Sequence, residues 1–341
     1  MPNCGSQCCI CDLPIRFDNY VGCSHACEYC FVKRKNTLSD IQDGESVGSL
    51  LKFIQGERTK ATNWCDWDIP IHWGGMSDPF QPVERQRRTS FKALKVFAET
   101  QYPFVVSSKG KILGEQEYLD VIKDCNGVVQ ISLVCESYDP LERGCPPFAE
   151  RLKIAERVAK VAKRLIIRIQ PYMREVFDAV YGNLEKFADA GAYGVIVEGM
   201  KFLSNKKGLV KIGGDFTYPY EEIKRDLEIF RKRAHEVGLK FYSGENRTRE
   251  LGDSLTCCGI DGLEGFKAND FNLNHLLHGE RPRPTEAQSE VGTASCFAAI
   301  HQRTIVVNQL REQSFTCAML KEYKDNRPYI EKVMGITKNN P

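Results

Sequence analysis

The chain has 341 residues, 42% of them apolar, which is enough to bury a large core in one domain or in one domain with an appendage. Its 47 Lys and Arg nearly balance its 45 Asp and Glu. The net charge of +2 therefore excludes a global field that would demand a nucleic acid or a membrane as partner. With no recognisable signal peptide or long apolar segment, we expect a cytoplasmic protein without a membrane partner; the oligomeric state stays open.

Short apolar runs alternate with helical patterns along most of the chain, as in βα units around a parallel sheet. Strands are predicted at 17–21, 69–73, 104–107, 128–134, 165–169, 194–197 and 240–242, and helices at 88–99, 148–164 and 220–237. This pattern predicts an α/β fold, a (βα)6-type partial or near-complete TIM-like barrel, with its reactive groups at the C-terminal ends of the strands.

We expect three regions. They are an N-terminal Cys-rich extension (1–16), the barrel (17–245) and a Cys-containing C-terminal extension (246–341) that ends in a packing helix at about 294–324.

Cysteine is the unusual residue of this chain. Fifteen Cys without an export signal are expected to be reduced, so a disulfide framework is a poor interpretation. Cys23, Cys27 and Cys30 lie together just after the first predicted strand, in residues 23–30, here called the cysteine loop. Three thiolates suit an iron–sulfur cluster and leave one iron open to another ligand. The alternative is a structural zinc ion, which would need a fourth ligand such as His25 or a distant Cys.

The cysteine loop resembles that of the radical S-adenosylmethionine (SAM) superfamily, whose three Cys are spaced three and two residues apart with an aromatic residue before the last. Cys23, Cys27, Tyr29 and Cys30 match this hallmark. The branch of spore photoproduct lyase and its relatives is further matched at Tyr20, Gly22, His25, Ser77-Asp78-Pro79, Ser108-Lys109, Ile131-Ser132-Leu133, Pro146 and Glu150-Arg151-Leu152. The likeness covers residues 17–245.

The resemblance implies a cofactor and a chemistry. A [4Fe–4S] cluster would chelate S-adenosylmethionine (AdoMet) and cleave it reductively to a 5′-deoxyadenosyl radical, which abstracts hydrogen from a substrate in lyase- or modification-type chemistry. The cluster would draw its electron from a flavodoxin- or ferredoxin-like partner. Tyr29 would lie near the adenine, as the aromatic residue at that position does in the superfamily.

Other cofactor-binding residues are predicted from their positions at strand ends. Gly74 and Gly75 allow close backbone approach to the methionine part. Met76 stands where the superfamily often has Glu, so Ser77 or Asp78 would meet the methionine amino group. Candidate partners of ribose and carboxylate groups complete the set: Ser132, Glu136, Arg151 and, as a catalytic residue, Lys109, with Gln170 and Glu198 facing the same cavity. For each of these, an ordinary ion pair or packing role is the competing interpretation.

The remaining cysteines leave two questions. Cys8, Cys11, Cys257 and Cys258 could meet in space and hold a second iron–sulfur cluster or a zinc ion, or could simply be buried thiols. Cys135, next to Glu136 at a strand end, is a candidate catalytic hydrogen-atom donor.

The substrate is not fixed by the sequence. The branch likeness makes a nucleic-acid base a candidate, and the basic runs 33–35 and 85–88 could contact phosphates, although such runs are more often solvated helix starts. A peptide or a small metabolite is the alternative within the same enzyme class. A non-catalytic binding protein stabilised by zinc is the alternative from another class.

Overall fold

The computed structural model describes residues 1–4, 11–34, 40–59, 62–63, 65–212, 215–270, 272, 274–275 and 278–280. The strands are β1 (Asn3–Cys4), β2 (Ile15–Phe17), β3 (Tyr20–Val21), β4 (Gln42–Asp43), β5 (Ile71–Trp73), β6 (Phe104–Ser108), β7 (Gly127–Ser132), β8 (Arg164–Tyr172), β9 (Gly194–Gly199), β10 (Val210–Ile212), β11 (Asp215–Thr217) and β12 (Lys240–Ser243). The α-helices are α1 (Val47–Ile54), α2 (Glu84–Arg87), α3 (Thr89–Thr100), α4 (Gln116–Lys123), α5 (Phe148–Val158), α6 (Phe177–Asp189) and α7 (Tyr220–Glu236).

One eight-stranded sheet organises the molecule, in the order β1-β2-β5-β6-β7-β8-β9-β12. All neighbours from β2 to β12 pair in parallel, and β1 joins the edge antiparallel to β2. Within the described residues β2 and β12 are the two ends of the parallel order, so the barrel is partial. The predicted α/β fold with a partial TIM-like barrel is confirmed.

The parallel strands are buried on both faces. Every residue of β7 is buried, which is typical of a parallel sheet covered on each side. Alternate residues on the concave face pack against segments from both ends of the described chain, in one cluster: Leu13, Val105, Val128, Ile166, Ile196, Tyr242, Cys258 and Ile260. The opposite face packs against the helices in the main core.

Residues 256–263 fill the concave side of the sheet. Gln130, in the middle of β7, donates from Nε2 to the Cys258 carbonyl at 3.1 Å. Arg164, at the start of β8, donates to the carbonyls of Gly259 (3.0 Å) and Asp261 (2.7 Å). The first part of the predicted C-terminal extension is thus packed into the barrel. Residues 281–341, with the helix predicted at 294–324, lie outside the described residues.

Two separate strands, β2 and β3, occupy the region where one strand was predicted at 17–21. The predicted strand breaks at Asn19, whose side chain accepts a hydrogen bond from Trp73 Nε1 (2.7 Å) and donates one to Ser90 Oγ (2.9 Å). These buried bonds turn the chain away from the sheet, and β3 pairs with β4 instead. The cysteine loop therefore follows a small two-stranded ribbon at the edge of the barrel.

The three predicted helices are present, and α3 and α7 agree with their predictions to within one residue at each end. The helix predicted at 148–164 ends at Val158, because residues 159–163 form the turn into β8 and Lys163 N donates to Gly127 O at 3.1 Å. No helix of the described residues is long and apolar enough to cross a bilayer.

A buried histidine holds the N-terminal segment to the C-terminal one. His275 is 5% exposed, with Nε2 2.7 Å from Asp12 Oδ1 and Nδ1 2.6 Å from Glu280 Oε2. Burial lowers its pKa, but the bonds and charges of Asp12 and Glu280 outweigh burial and raise the pKa to about 9. Because this pKa is above the unfolded value, the charged ring stabilises the fold below about pH 6.5 and loses that effect as the pH rises through 9.

Changing His275 to Gln is therefore expected to lower the free energy of unfolding by roughly 2–3 kcal/mol at pH 6, and by less than about 1 kcal/mol at pH 10. Urea unfolding of the reduced protein at both pH values measures this. The matched control is His235→Gln, whose half-exposed ring pairs with Asp253 at 2.9 Å and should matter little at either pH. An equal loss at both pH values for His275→Gln would contradict the assignment.

Candidate functional site

The cysteine loop lies at the C-terminal edge of the sheet. Cys27 is 8% exposed, while Cys23 and Cys30 are partly exposed. Ala26 adopts a left-handed conformation, with φ of 51°, which an alanine takes only when its surroundings hold it there. The loop therefore has a defined shape that presents one buried and two accessible thiols.

A second loop, residues 141–145 and here called the clamp loop, holds the cysteine loop in place. Glu28 N donates to Leu141 O (2.8 Å) and Gly144 N donates to His25 O (3.0 Å). The His25 ring returns a bond, with Nδ1 2.9 Å from Gly144 O. These three hydrogen bonds are among those that join two loops more than 110 residues apart in sequence.

Gly144 makes this contact possible by lacking a side chain. A Cβ at Gly144 would lie 2.4 Å from Ser24 O and 2.7 Å from His25 Cα, inside the contact distance of any real carbon. We expect Gly144→Ala to separate the loops, to cost about 1–3 kcal/mol in urea unfolding and to reduce the iron retained after reconstitution. The control is Gly182→Ala within α6, where a Cβ meets no atom within 4 Å and should stabilise slightly. Full iron retention in Gly144→Ala would contradict the clamp.

Asp78 joins the cysteine loop to the end of β6. Its Oδ2 lies 3.1 Å from His25 Nε2 and accepts from Lys109 N at 2.6 Å. Its Oδ1 accepts from Ser108 Oγ and from Phe80 N, both at 2.8 Å. Burial raises the pKa of this carboxyl, but the His25 charge and these donors outweigh burial and lower it. Both oxygens already have partners, so Asp78 links the cysteine loop to the end of β6 in this structure. Its predicted contact with the methionine amino group stays a prediction.

His25 takes part in the same set of contacts between the loops. Its two ring nitrogens face Gly144 O and Asp78 Oδ2. The zinc alternative named His25 as a fourth ligand, and that role would require one of its ring nitrogens to give up its partner. Among the residues that the structure describes, no three His, Cys, Asp or Glu side chains converge on a single metal-ion position.

Glu142, in the clamp loop, is the centre of a buried network. Its carboxylate is 2.5 Å from Arg151 Nη2 and 3.8 Å from Lys109 Nζ, and it accepts a hydrogen bond from the Tyr29 hydroxyl. Glu142 and Arg151 are 2% and 1% exposed. Arg151 also donates to Ser132 O at 2.9 Å. Three predicted site residues, Tyr29, Lys109 and Arg151, are therefore brought together by a carboxylate that the sequence analysis missed.

The network places positive charge beside Cys27. Burial lowers the pKa of Lys109, but Glu142 and the Cys27 thiolate outweigh burial and raise it. The pKa of Cys27 falls to about 6, through a hydrogen bond with the Cys145 thiol and the charge of Lys109, against burial. Because metal ligands must be deprotonated, a soft thiolate set beside a cation fits an iron–sulfur cluster bound at the cysteine loop.

The Gly74-Gly75 turn follows β5, as predicted. Gly74 has φ of 82°, and a Cβ there would lie 2.7 Å from Ser107 O. A Cβ on Gly75 would lie 2.3 Å from Arg16 Nη1. Position 74 therefore needs glycine, whereas a side chain at Gly75 would meet only the flexible end of Arg16, whose guanidinium lies directly against the turn.

A carboxylate between β2 and β3 fixes the residues that follow this turn. Asp18 Oδ1 accepts from Met76 N (2.9 Å) and Ser77 N (3.2 Å). Burial raises the pKa of Asp18 to about 6. Ser77 Oγ donates to Tyr20 O at 2.7 Å, so this predicted cofactor residue has a structural partner.

Two of the predicted residues lie elsewhere. Cys135 is 1% exposed and belongs to the main core between sheet and helices, with Sγ 3.0 Å from Ser137 Oγ. Glu136 is exposed and pairs with Lys186 of α6 at 3.3 Å. The strand predicted at 128–134 ends at Ser132, so neither residue lies at the strand end on which both assignments depended. We correct both assignments: Cys135 is a core thiol, and Glu136 belongs to the helix layer.

The concave face next to residues 256–263 carries a row of polar side chains that are hydrogen-bonded to one another. Arg168 Nη1 donates to Gln130 Oε1 (2.9 Å) and Ser107 Oγ (3.0 Å), and its Nη2 donates to Gln170 Oε1. Gln170 Nε2 donates to Glu198 Oε2 at 2.5 Å. Gln170 and Glu198 thus lie together on one face, as the prediction of a shared cavity requires.

The other cysteines form a second group. Cys257 and Cys258 have sulfurs 3.8 Å apart, and Cys11 is close enough to interact electrostatically with both. Arg249, buried beside them, lowers the pKa of Cys257 together with the hydrogen bond from the Cys258 thiol. Cys8 lies outside the described residues. Three of the four predicted auxiliary cysteines therefore meet, and a metal ion bound by them stays a prediction.

Comparisons with known proteins agree with this architecture. No family model matches the chain. Uncharacterised proteins of Mycobacterium tuberculosis and Mycobacterium bovis are each 23% identical over 238 residues, covering 64% of this chain and 68% of theirs.

Among solved structures, a spore photoproduct lyase variant with bound AdoMet and dinucleoside spore photoproduct superposes with a TM-score of 0.57 and 16% identity. The match covers 68% of this chain and 76% of that one. Streptococcus suis SuiB bound to precursor peptide SuiA gives a TM-score of 0.50 and 12% identity, over 69% and 49%. The chain therefore has the fold of spore photoproduct lyase, which is the fold that the resemblance of the cysteine loop implies.

Proposed function

We propose that this protein is a radical SAM enzyme whose Cys23, Cys27 and Cys30 hold a [4Fe–4S] cluster. The observation that carries the proposal is the cysteine loop itself, held by the clamp loop and Asp78 at the C-terminal edge of a partial parallel barrel. The likeness to an AdoMet-bound radical SAM enzyme supports it. When bound, the cluster would supply the electron that splits AdoMet to methionine and a 5′-deoxyadenosyl radical, which abstracts hydrogen from the substrate.

The protein residues would bind and orient the cofactor. Lys109, the cation closest to the cysteine loop in the Glu142 network, is placed to pair with the methionine carboxylate, while Glu142 limits its movement. Tyr29 would lie beside the adenine with its hydroxyl held by Glu142. The Gly74-Gly75 turn would let the backbone approach the methionine part, because neither residue carries a side chain that could block it.

Anaerobic reconstitution with iron and sulfide tests the proposal. The expected result is a brown protein with broad absorbance near ~400 nm, about four irons at this site, and release of 5′-deoxyadenosine when AdoMet and a low-potential reductant are added. Physiologically, a flavodoxin- or ferredoxin-like partner would supply the electron. A colourless protein that carries only zinc on these thiols would support the alternative of a zinc-stabilised binding protein.

For the substrate, we propose a nucleic-acid base, because a structural neighbour was solved with a dinucleoside photoproduct. The basic run 85–88 does not add to this proposal. Arg85, Arg87 and Arg88 are each paired with a carboxylate, on Glu115, Asp43 and Glu117, so their charges are already balanced. The side chains of the other basic run, 33–35, lie outside the described part of the structure.

The substrate class can be decided by adding candidate molecules to the reconstituted enzyme. A damaged or modified oligonucleotide that speeds 5′-deoxyadenosine release and appears in a product would support the proposal. Stimulation by a peptide alone would favour the peptide alternative, for which the neighbour SuiB was solved with its precursor peptide. Stimulation by neither would leave a small metabolite as the substrate class.

A further inference from the structure

Cys145 is a fourth cysteine at the proposed cluster. It ends the clamp loop, partly exposed, with its Sγ 3.9 Å from Cys27 Sγ. Its backbone N donates to Glu142 O at 2.8 Å, and the preceding Gly144 packs against the cysteine loop too closely to allow a side chain. The position of the Cys145 thiol is therefore set by the same contacts that hold the two loops together.

The distance decides what this thiol can do. A Cys27 sulfur that ligates iron must be a thiolate, which accepts hydrogen bonds. A thiol is a weak donor, and 3.9 Å is a sulfur–sulfur hydrogen-bond distance. Terminal ligands on different irons of a cubane point away from one another, so a sulfur in contact with Cys27 Sγ is poorly placed to ligate another corner.

We propose that Cys145 donates an S–H hydrogen bond to the iron-bound Cys27 sulfur and thereby raises the reduction potential of the cluster. The inference rests on the proposed function, since it needs a cluster on the cysteine loop. Hydrogen bonds to ligand sulfurs tune cluster potentials, because the reduced cluster places more negative charge on its sulfurs and gains more from a donor. Cys145 is thus a positioning and tuning residue that makes the cluster easier to reduce.

The test is an anaerobic redox titration of the reconstituted full-length protein, followed by electron paramagnetic resonance of the reduced cluster. In Cys145→Ala the potential should become more negative. At the wild-type midpoint, the ratio of reduced to oxidised cluster should fall about fivefold, which is less than the full effect of one hydrogen bond to a charged group, because only the difference in bond strength between the two oxidation states changes the potential. Cys145→Ser keeps a donor at the same place and should restore most of the ratio.

Cys125→Ala is the matched control. Its thiol is equally free of any disulfide but lies in the core, bonded to the carbonyls of Val121 (3.2 Å) and Leu94 (3.5 Å), and its loss should leave the potential unchanged. An unchanged potential in Cys145→Ala would overturn the inference, as would equal shifts in the Ala and Ser variants. Loss of iron in Cys145→Ala would mean that Cys145 is a ligand, which also overturns it. A wild-type protein that forms no cluster would instead refute the proposed function.

Discussion

Replacing Cys27 by Ala is expected to abolish reductive cleavage of AdoMet. Cys27 is the most buried of the three cysteine-loop thiols, and its thiolate is favoured by Lys109 and Cys145. Loss of a ligand should exceed the 10–100-fold effect typical of removing a residue that merely supports one, so we expect a fall of more than about 100-fold in 5′-deoxyadenosine release. Liquid chromatography of anaerobic reactions, with iron measured in the same samples, gives both values.

Cys23→Ala and Cys30→Ala should behave in the same way, because all three corners are needed to keep a fourth iron open. Cys125→Ala again serves as control and should retain both iron and activity, since its thiol contacts only backbone carbonyls and the core. Normal AdoMet cleavage by any of the three cysteine-loop variants would show that the cofactor is split elsewhere. Iron that persists in the triple variant would show that a second cluster exists, with Cys11, Cys257 and Cys258 as the first ligands to change.

The parts of the site that could be predicted are those whose chemistry is local in sequence. The spacing of Cys23, Cys27 and Cys30 indicates the proposed ligand set within eight residues, and the Gly74-Gly75 turn directly follows a strand. The apolar runs of β6 to β9 likewise predicted strands of a parallel sheet. Each of these features can be recognised in the sequence without knowing which residues lie opposite it in the barrel.

The missed parts depend on contacts between distant residues. Glutamate is among the least often buried residues, so nothing in the sequence around Glu142 indicates that it is buried against Arg151 and Lys109. The role of Gly144 is visible only once His25 lies against it. A Gly-Cys-Pro turn at 144–146 was the one available signal, and it indicates a turn without indicating what the turn touches.

Cys135 and Glu136 illustrate an error of a different kind. Both were assigned to the active edge because the strand was predicted to continue to residue 134. β7 ends at Ser132, and a 3-10 helix at Glu136–Leu141 takes the chain towards the helix layer. A strand end predicted two residues too late is thus enough to move a side chain from the cavity to the core.

The second large effect is expected at Glu142. Changing it to Ala removes the buried carboxylate that lies 2.5 Å from the Arg151 guanidinium and leaves that charge with Asp139 at 3.5 Å. Breaking a buried pair by removing one partner typically costs 3–5 kcal/mol, so we expect the free energy of unfolding to fall by about 3–5 kcal/mol in urea titrations of the reduced, cluster-free protein. The loss would be nearly as large in Glu142→Gln, because the amide keeps the volume but not the charge.

An exposed pair of the same residue types provides the control. Glu150 pairs with Lys111 at 2.6 Å on the surface, with side-chain exposures of 37% and 61%, and Glu150→Gln should cost no more than about 1 kcal/mol because solvent screens the pair. A cost below about 1 kcal/mol for both Glu142 variants would mean that Arg151 and Lys109 find other partners, and the network would then not be what holds the clamp loop.

Loss of the Glu142 carboxylate should also affect cofactor binding, since Glu142 holds Tyr29 and Lys109 together. Cluster-loaded Glu142→Gln should therefore bind AdoMet more weakly even under conditions where it stays folded, and equilibrium binding measured without reductant separates this effect from any loss of catalysis.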